Sequence, residues 1–208
     1  MSQSQRMSHA ERTDLSDRRM LDAAITLIVE RGTDKTTLKE VGERAGYSRG
    51  LAGYRFGSKA GLFETIVRDV GEQWLSDLKR VTAGKSGLAA IDAAVDEHCR
   101  FCLEAVEPVR AFYILWFESI GVQSPVKNVI ATIAERRSRD IVSWLGAVGY
   151  RGAIPPEAVA AQFNATVLGI VYHWLANPDD REGTRSLHEQ LKNQMALNLA
   201  DRPAEELS

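Results

Sequence analysis

The sequence predicts an all-α protein, and three observations carry that prediction. Apolar residues recur at helical spacing through most of the chain, while no stretch sustains the period-two alternation of a half-buried strand. The periodic segments are separated by glycine- and proline-containing breaks, which fall at residues 84–87, 107–108, 121–125, 149–156 and 177–183. The 208 residues are 44% hydrophobic and 26% charged, a balance that supports one large globular domain or two small ones.

Residues 1–14 are polar and read as a flexible arm. The first helix is expected over residues 17–31, with Leu21, Ala24, Ile25 and Ile28 on one face and Gly32 as its stop. A second, short helix follows Thr37, whose spacing to Glu40 is that of a capping box. The turn is Ala45-Gly46-Tyr47, with Gly46 free to take a left-handed backbone. Ser48 is the expected cap of a third helix, and Ser58 of a fourth over residues 59–81. Further helices are placed near 86–106, 108–120, 125–148, 156–176 and 184–200, where Pro156 suits a first helical turn.

The net charge is −2, so the whole chain is no polyanion binder, but the charge is unevenly spread. Residues 1–71 hold 12 Lys+Arg against 10 Asp+Glu; the remainder holds 14 against 18. Between Ser48 and Arg68, Arg49, Arg55, Lys59 and Arg68 face only Glu64. A local basic excess is the footprint of nucleic-acid binding. No apolar run is long enough to span a bilayer, and the polar N-terminus lacks the apolar core of a signal peptide, so a cytoplasmic location is expected. Cys99 and Cys102 make no disulfide framework. With His98 beside them they suggest metal or thiol sensing, but a Cys-x-x-Cys within a helix and without a second ligand cluster is a weak zinc signal. They read as small buried hydrophobes, and neither a metal nor a cofactor is expected.

The stretch "SRGLAGYRFGSK" (48–59) holds the chemistry. A short helix, a glycine turn and a second helix make a helix-turn-helix, whose second helix enters the major groove. Gly50, Ala52 and Gly53 keep that helix slim, at about 1 kcal/mol of helix stability per glycine. Gly42 is small where the third helix crosses the second. Arg49 is expected to reach a guanine edge or a phosphate, and Arg55 and Tyr54 a phosphate; Lys59 opens the next helix toward the DNA backbone. Thr37, Lys39, Ser48 and Gly50 complete the candidate DNA contacts.

The segment "TTLKEVGERAGYSRGLAGYRFGSKAGLF", with "RRMLDAAITLIVERGTDKTT" before it, resembles the DNA-binding domain of the TetR family of one-component transcription regulators. The resemblance covers about residues 15–70. It rests on the Ala-Gly turn, Ser48, the aromatic pair Tyr54 and Phe56, and Gly57-Ser58-Lys59 followed by Gly61-Leu62-Phe63. The chain departs from the family pattern at Gly53, Arg55 and Ala60. The resemblance implies a helix-turn-helix domain over 15–75 and an effector-binding and dimerisation domain over 76–208.

Two recognition helices must lie one DNA turn, roughly 34–36 Å, apart to read a palindrome, which requires a homodimer. The expected interface is the last two helices, paired into a four-helix bundle as the resemblance implies, through Phe163, Val167, Leu187, Leu191 and Met195. An effector pocket is expected from Trp74, His98, Phe112, Trp116, Trp144 and Tyr172, suited to an apolar or aromatic small molecule. The leading expectation is therefore a repressor released from double-stranded operator DNA by such a ligand. The alternative is an all-α carrier or enzyme, for which no nucleophile motif, phosphate loop or metal cluster is evident.

Overall fold

The computed structural model describes residues 8–121 and 124–199. Nine α-helices and no strands occur among them: α1 (His9–Arg31), α2 (Leu38–Arg44), α3 (Leu51–Phe56), α4 (Lys59–Thr82), α5 (Gly87–Glu104), α6 (Val106–Glu118), α7 (Pro125–Ala147), α8 (Pro156–Ala176) and α9 (Arg181–Leu199). The chain divides into two compact units. One runs to Val70 and includes Arg110–Val129; the other comprises Gly71–Val109 and the chain from Ile130. Helix α4 contributes residues to both.

The first helix starts earlier than the periodicity predicts. Residues 9–14, assigned to an arm, form its opening turns, because Ser8 and Glu11 make a complete capping box. The sequence signal was the Ser-x-x-Glu of "SHAE". Residues 1–7 of the expected arm lie outside the described residues. At α2 the second capping box is present as read, with Glu40 N–H donating to Thr37 Oγ1 (3.3 Å) and Thr37 N–H to Glu40 Oε2 (3.2 Å). Gly46 has φ +80°, and Ser58 Oγ accepts from Gly61 N–H at 3.0 Å to open α4.

In the first unit, Met20, Ala24, Leu27 and Ile28 of α1 are buried with Val41 of α2, Ala52 of α3, and Leu62 and Ile66 of α4. Two ion pairs clamp α1 to α2: Arg31–Glu40 (3.1 Å) and Arg44–Glu30 (2.7 Å). The C-terminal end of α6 returns to the end of α1, where Thr33 Oγ1 donates to Glu118 at 2.6 Å. Phe112, Tyr113 and Trp116 form an aromatic cluster on α6, with ring centroids 5.1–5.7 Å apart.

In the second unit, Ile91 and Val95 of α5, Ile141 and Leu145 of α7, Val159, Phe163, Val167 and Ile170 of α8, and Leu191 and Met195 of α9 share one core. Four of the five residues expected at the dimer interface belong to this core. Phe163, Val167, Leu191 and Met195 are buried inside their own chain, and Leu187 packs against the same core. Helix α8 is apolar nearly all round, so its sequence marks both a core face and an outer face without saying which residues belong to which.

Candidate functional site

Helices α2 and α3 meet at a joint made from backbone. A methyl group at Gly42 would lie 2.8 Å from the Ser48 carbonyl oxygen, so only glycine lets the turn fold back onto α2. Tyr47 N–H reaches Gly42 O at 2.9 Å across the same turn. Ser48 does not cap α3 through its side chain. The cap residue is Gly50, and the Ser48 carbonyl instead accepts from Leu51 N–H at 3.0 Å.

The six residues of α3 present two faces. Ala52, expected on the outer face, is fully buried and seats the helix on its core. Gly50 and Gly53 have open space where a side chain would stand, and Tyr54 projects with 83% of its surface exposed. The outer surface of α3 is thus two glycines, an exposed phenol and the flanking Arg49.

The two arginines differ. Arg49 pairs with Glu43 (2.5 Å), yet its side chain remains 72% exposed. Such a surface pair is worth at most about 1 kcal/mol and yields readily to a stronger anion. Arg55 donates from Nε to Asp17 Oδ1 (2.7 Å) and from its terminal nitrogen to Asp17 Oδ2, in the two-pronged geometry that holds best. This pair buttresses α3 against α1, and the residue remains exposed at the surface of α3. We expect Arg55→Ala and Asp17→Ala each to destabilise by about 0.5–1 kcal/mol, a magnitude held down by partial exposure. A double-mutant cycle read by urea denaturation should show coupling between them, and additive losses would contradict the buttress.

Lys59 Nζ donates to Asp34 O (3.3 Å) and lies 5.7 Å from the Phe63 ring centroid. Thr37 spends its hydroxyl on Glu40 (2.8 Å), while Lys39 is exposed on α2.

The residues named for an effector pocket separate into three places. Trp74 (α4), His98 (α5) and Trp144 (α7) line one cavity, together with Leu78, Ala94, Arg137, Ile141, Phe163 and Val167. Phe112 and Trp116 belong to the α6 cluster of the first unit, and Tyr172 is 73% exposed on α8. The cavity holds only about 20 Å³, room for a water molecule or so. Arg137, buried in its wall, donates to Asn164 Oδ1 (2.9 Å), whose amide donates to Ser138 Oγ (3.0 Å). Sequence reading missed Arg137, because a mid-helix arginine in "AERRSRD" looks like a solvated face.

A second buried polar group lies beside the cavity. His98 Nδ1 is 2.8 Å from His188 Nε2, and Cys102 Sγ is 3.9 Å from the same His98 nitrogen. Burial pushes the His98 pKa well down and lowers that of His188, so both rings are neutral; it pushes the Cys102 thiol up. His188, from α9, was invisible as a partner of His98 in the sequence. Cys99, half-buried, is not part of the cluster.

Residues 20–66 match the family model described as bacterial regulatory proteins, tetR family. The chain is 24% identical over 196 residues to the HTH-type transcriptional regulator BetI of Brucella suis biovar 1 (strain 1330), covering 92% of this chain and 96% of that one. Among solved structures, a transcriptional regulator from Rhodococcus sp. Rha1 superposes with a TM-score of 0.76 at 22% identity, over 88% of this chain and 96% of that one. SmeT, the repressor of the Stenotrophomonas maltophilia multidrug efflux pump SmeDEF, superposes with a TM-score of 0.73 at 20% identity, over 89% and 91%; it is also solved as a triclosan complex. No described helix is long and apolar enough to cross a membrane. With a slim helix backed by its own core and a glycine joint, residues 20–66 form a DNA-binding domain of the tetR family of bacterial regulatory proteins, and the chain as a whole is similar to transcription regulators that carry this domain rather than to enzymes.

Proposed function

We propose that the protein is a dimeric repressor that reads a palindromic operator with α3 and leaves it when a small, largely apolar ligand enters the second unit, acting in the cytoplasm where its DNA lies. The observation that carries this reading is the outer surface of α3, where glycines at 50 and 53 leave Arg49 and Tyr54 as the reaching groups. Arg49 reads a base edge or binds a phosphate, and Tyr54 and Lys59 donate to phosphates. Thr37, Lys39, Ser48 and Gly50 serve as supporting DNA contacts in this reading.

Ligand response follows from the cavity's small size. A drug-sized molecule needs a pocket of roughly 300–1,000 Å³, far more than the cavity now offers, so binding must push its walls apart. Trp74 and Leu78 of α4 are two of those walls, and the same helix begins at Lys59, directly after the recognition helix. A ligand that binds only the opened form shifts the protein away from the DNA-competent form by its differential affinity. The triclosan complex of SmeT supports an apolar aromatic class of effector.

For the dimer, we take the uncharged outer face of α8, which its core residues leave exposed. Ala158, Ala161, Ala165, Gly169 and Tyr172 recur there at helical spacing, exposed and uncharged. These replace the buried residues first expected at the interface.

The test is selection of duplexes from a random pool at fixed salt, with wild type, Arg49→Ala and Tyr54→Phe. Base reading by Arg49 predicts relaxed preference at one position, worth about 1–3 kcal/mol. Tyr54→Phe should weaken all selected sequences alike. A wild-type protein that enriches no sequence sinks the proposal.

A further inference from the structure

We propose that His98, Cys102 and His188 form a transition-metal site for Zn²⁺ or an ion of similar borderline softness. Their three donor atoms lie within 4.8 Å of one another, and all three side chains are buried. His98 and Cys102 stand four residues apart on one face of α5, and His188 reaches them from α9. A tetrahedral zinc ion, with Zn–N about 2.0–2.1 Å and Zn–S about 2.3 Å, holds such donors roughly 3.4–3.6 Å apart. The observed separations of 2.8 Å (His98 to His188) and 3.9 Å (His98 to Cys102) bracket that range and all three donors lie within 4.8 Å, so side-chain shifts of about an ångström or less admit the ion.

Two features make this more than a chance meeting of side chains. His188 Nδ1 donates to the Thr184 carbonyl at 2.7 Å, which turns its Nε2 lone pair toward the cluster. That outer hydrogen bond is how metal-binding histidines are oriented. His188 also lines a surface groove of about 370 Å³, whose walls carry the carboxylates of Asp96, Glu104 and Glu189 beside the guanidiniums of Arg100, Arg181 and Arg185, so the cluster lies next to a solvent-filled groove. Two imidazoles and a thiolate suit Zn²⁺ better than Mg²⁺ or Ca²⁺, which want oxygen. Three protein ligands leave the fourth position to water.

The proton count follows. Without metal, His98 Nδ1–H donates to His188 Nε2. On binding, Cys102 loses its thiol proton to solvent, and the His98 proton moves from Nδ1 to Nε2, freeing Nδ1 as a ligand. One proton is released per ion bound.

The test uses the purified full-length chain and needs no DNA, so it is independent of the operator reading. Titration with Co²⁺ as a spectroscopic stand-in should give one equivalent of intense tetrahedral visible bands with thiolate charge transfer. Zn²⁺ should displace it, be retained one per chain through dialysis, and raise the melting temperature. Cys102→Ser should lose the charge transfer. His188→Gln, close in size and checked for folding by circular dichroism, should lower retention at least roughly 100-fold, while Cys99→Ser keeps the full spectrum. A wild type that shows no such bands and retains no zinc overturns the site. So does zinc retained equally by His188→Gln.

Discussion

Gly61→Ala should disable the DNA-binding unit, although it adds a single methyl group near the start of a helix. The new Cβ would stand 2.3 Å from the Phe56 carbonyl oxygen, closer than any real contact. The obstacle is backbone, so no side chain can swing aside. The joint is also tied on every side: Gly57 N–H donates to Gly53 O (2.9 Å), Ser58 N–H to Phe56 O (2.8 Å) and Gly61 N–H to Ser58 Oγ (3.0 Å). Relieving the clash therefore means moving α3 against α4. Overpacking of this kind costs about 2–3 kcal/mol, or roughly 4–12 °C in melting temperature for a chain of this size. Gly53→Ala is the control with the opposite sign. Its Cβ meets nothing within 4 Å, so it should stabilise α3 by up to about 1 kcal/mol while thickening the surface that faces DNA. Melting curves for the two variants, read beside operator affinity, separate a broken joint from an obstructed groove. An unchanged melting temperature for Gly61→Ala would show that the joint is looser than its geometry.

The contrast between these glycines also shows what a sequence discloses. Capping boxes and turns are local: Thr37 meets Glu40 three residues away, and Gly46 takes its positive φ within one turn, so both are legible from spacing. The nine helices among the described residues and the helix-turn-helix follow from such signals. Partners far apart in sequence are not legible. Nothing near Arg55 announces Asp17, 38 residues earlier, so the brace it gives the recognition helix does not show in the sequence. His98 and His188 are 90 residues apart and become a pair only when α5 packs on α9. Aromatic density misled for the same reason: Trp116 and Trp144 look alike in composition, but one joins the α6 cluster and the other lines the cavity. Periodicity failed on α8 because an all-round apolar helix has no polar face to point outward.

That ambiguity on α8 yields the second large effect. Ala165→Glu should convert the protein to a monomer and lower operator affinity by roughly 100-fold or more, about 3 kcal/mol. Ala165 is exposed at the middle of the uncharged stripe that runs from Ala158 to Tyr172, so within one chain the carboxylate simply meets water. In a two-fold dimer built on this face, each carboxylate would be buried beside its symmetry mate, unpaired and repelling it. Leu191→Ala probes the face first expected to pair. Leu191 is 2% exposed in the core of its own chain, so its loss should destabilise the fold by about 2–5 kcal/mol through a cavity. Analytical ultracentrifugation distinguishes the two: Ala165→Glu should sediment as a folded monomer, and Leu191→Ala as a dimer that melts early. The DNA consequence follows from geometry, since a monomer carries one recognition helix and can hold only half of a palindrome at a time. If Ala165→Glu sediments and binds as wild type does, α8 is not the surface that joins two copies, and the spacing of the recognition helices must be set elsewhere.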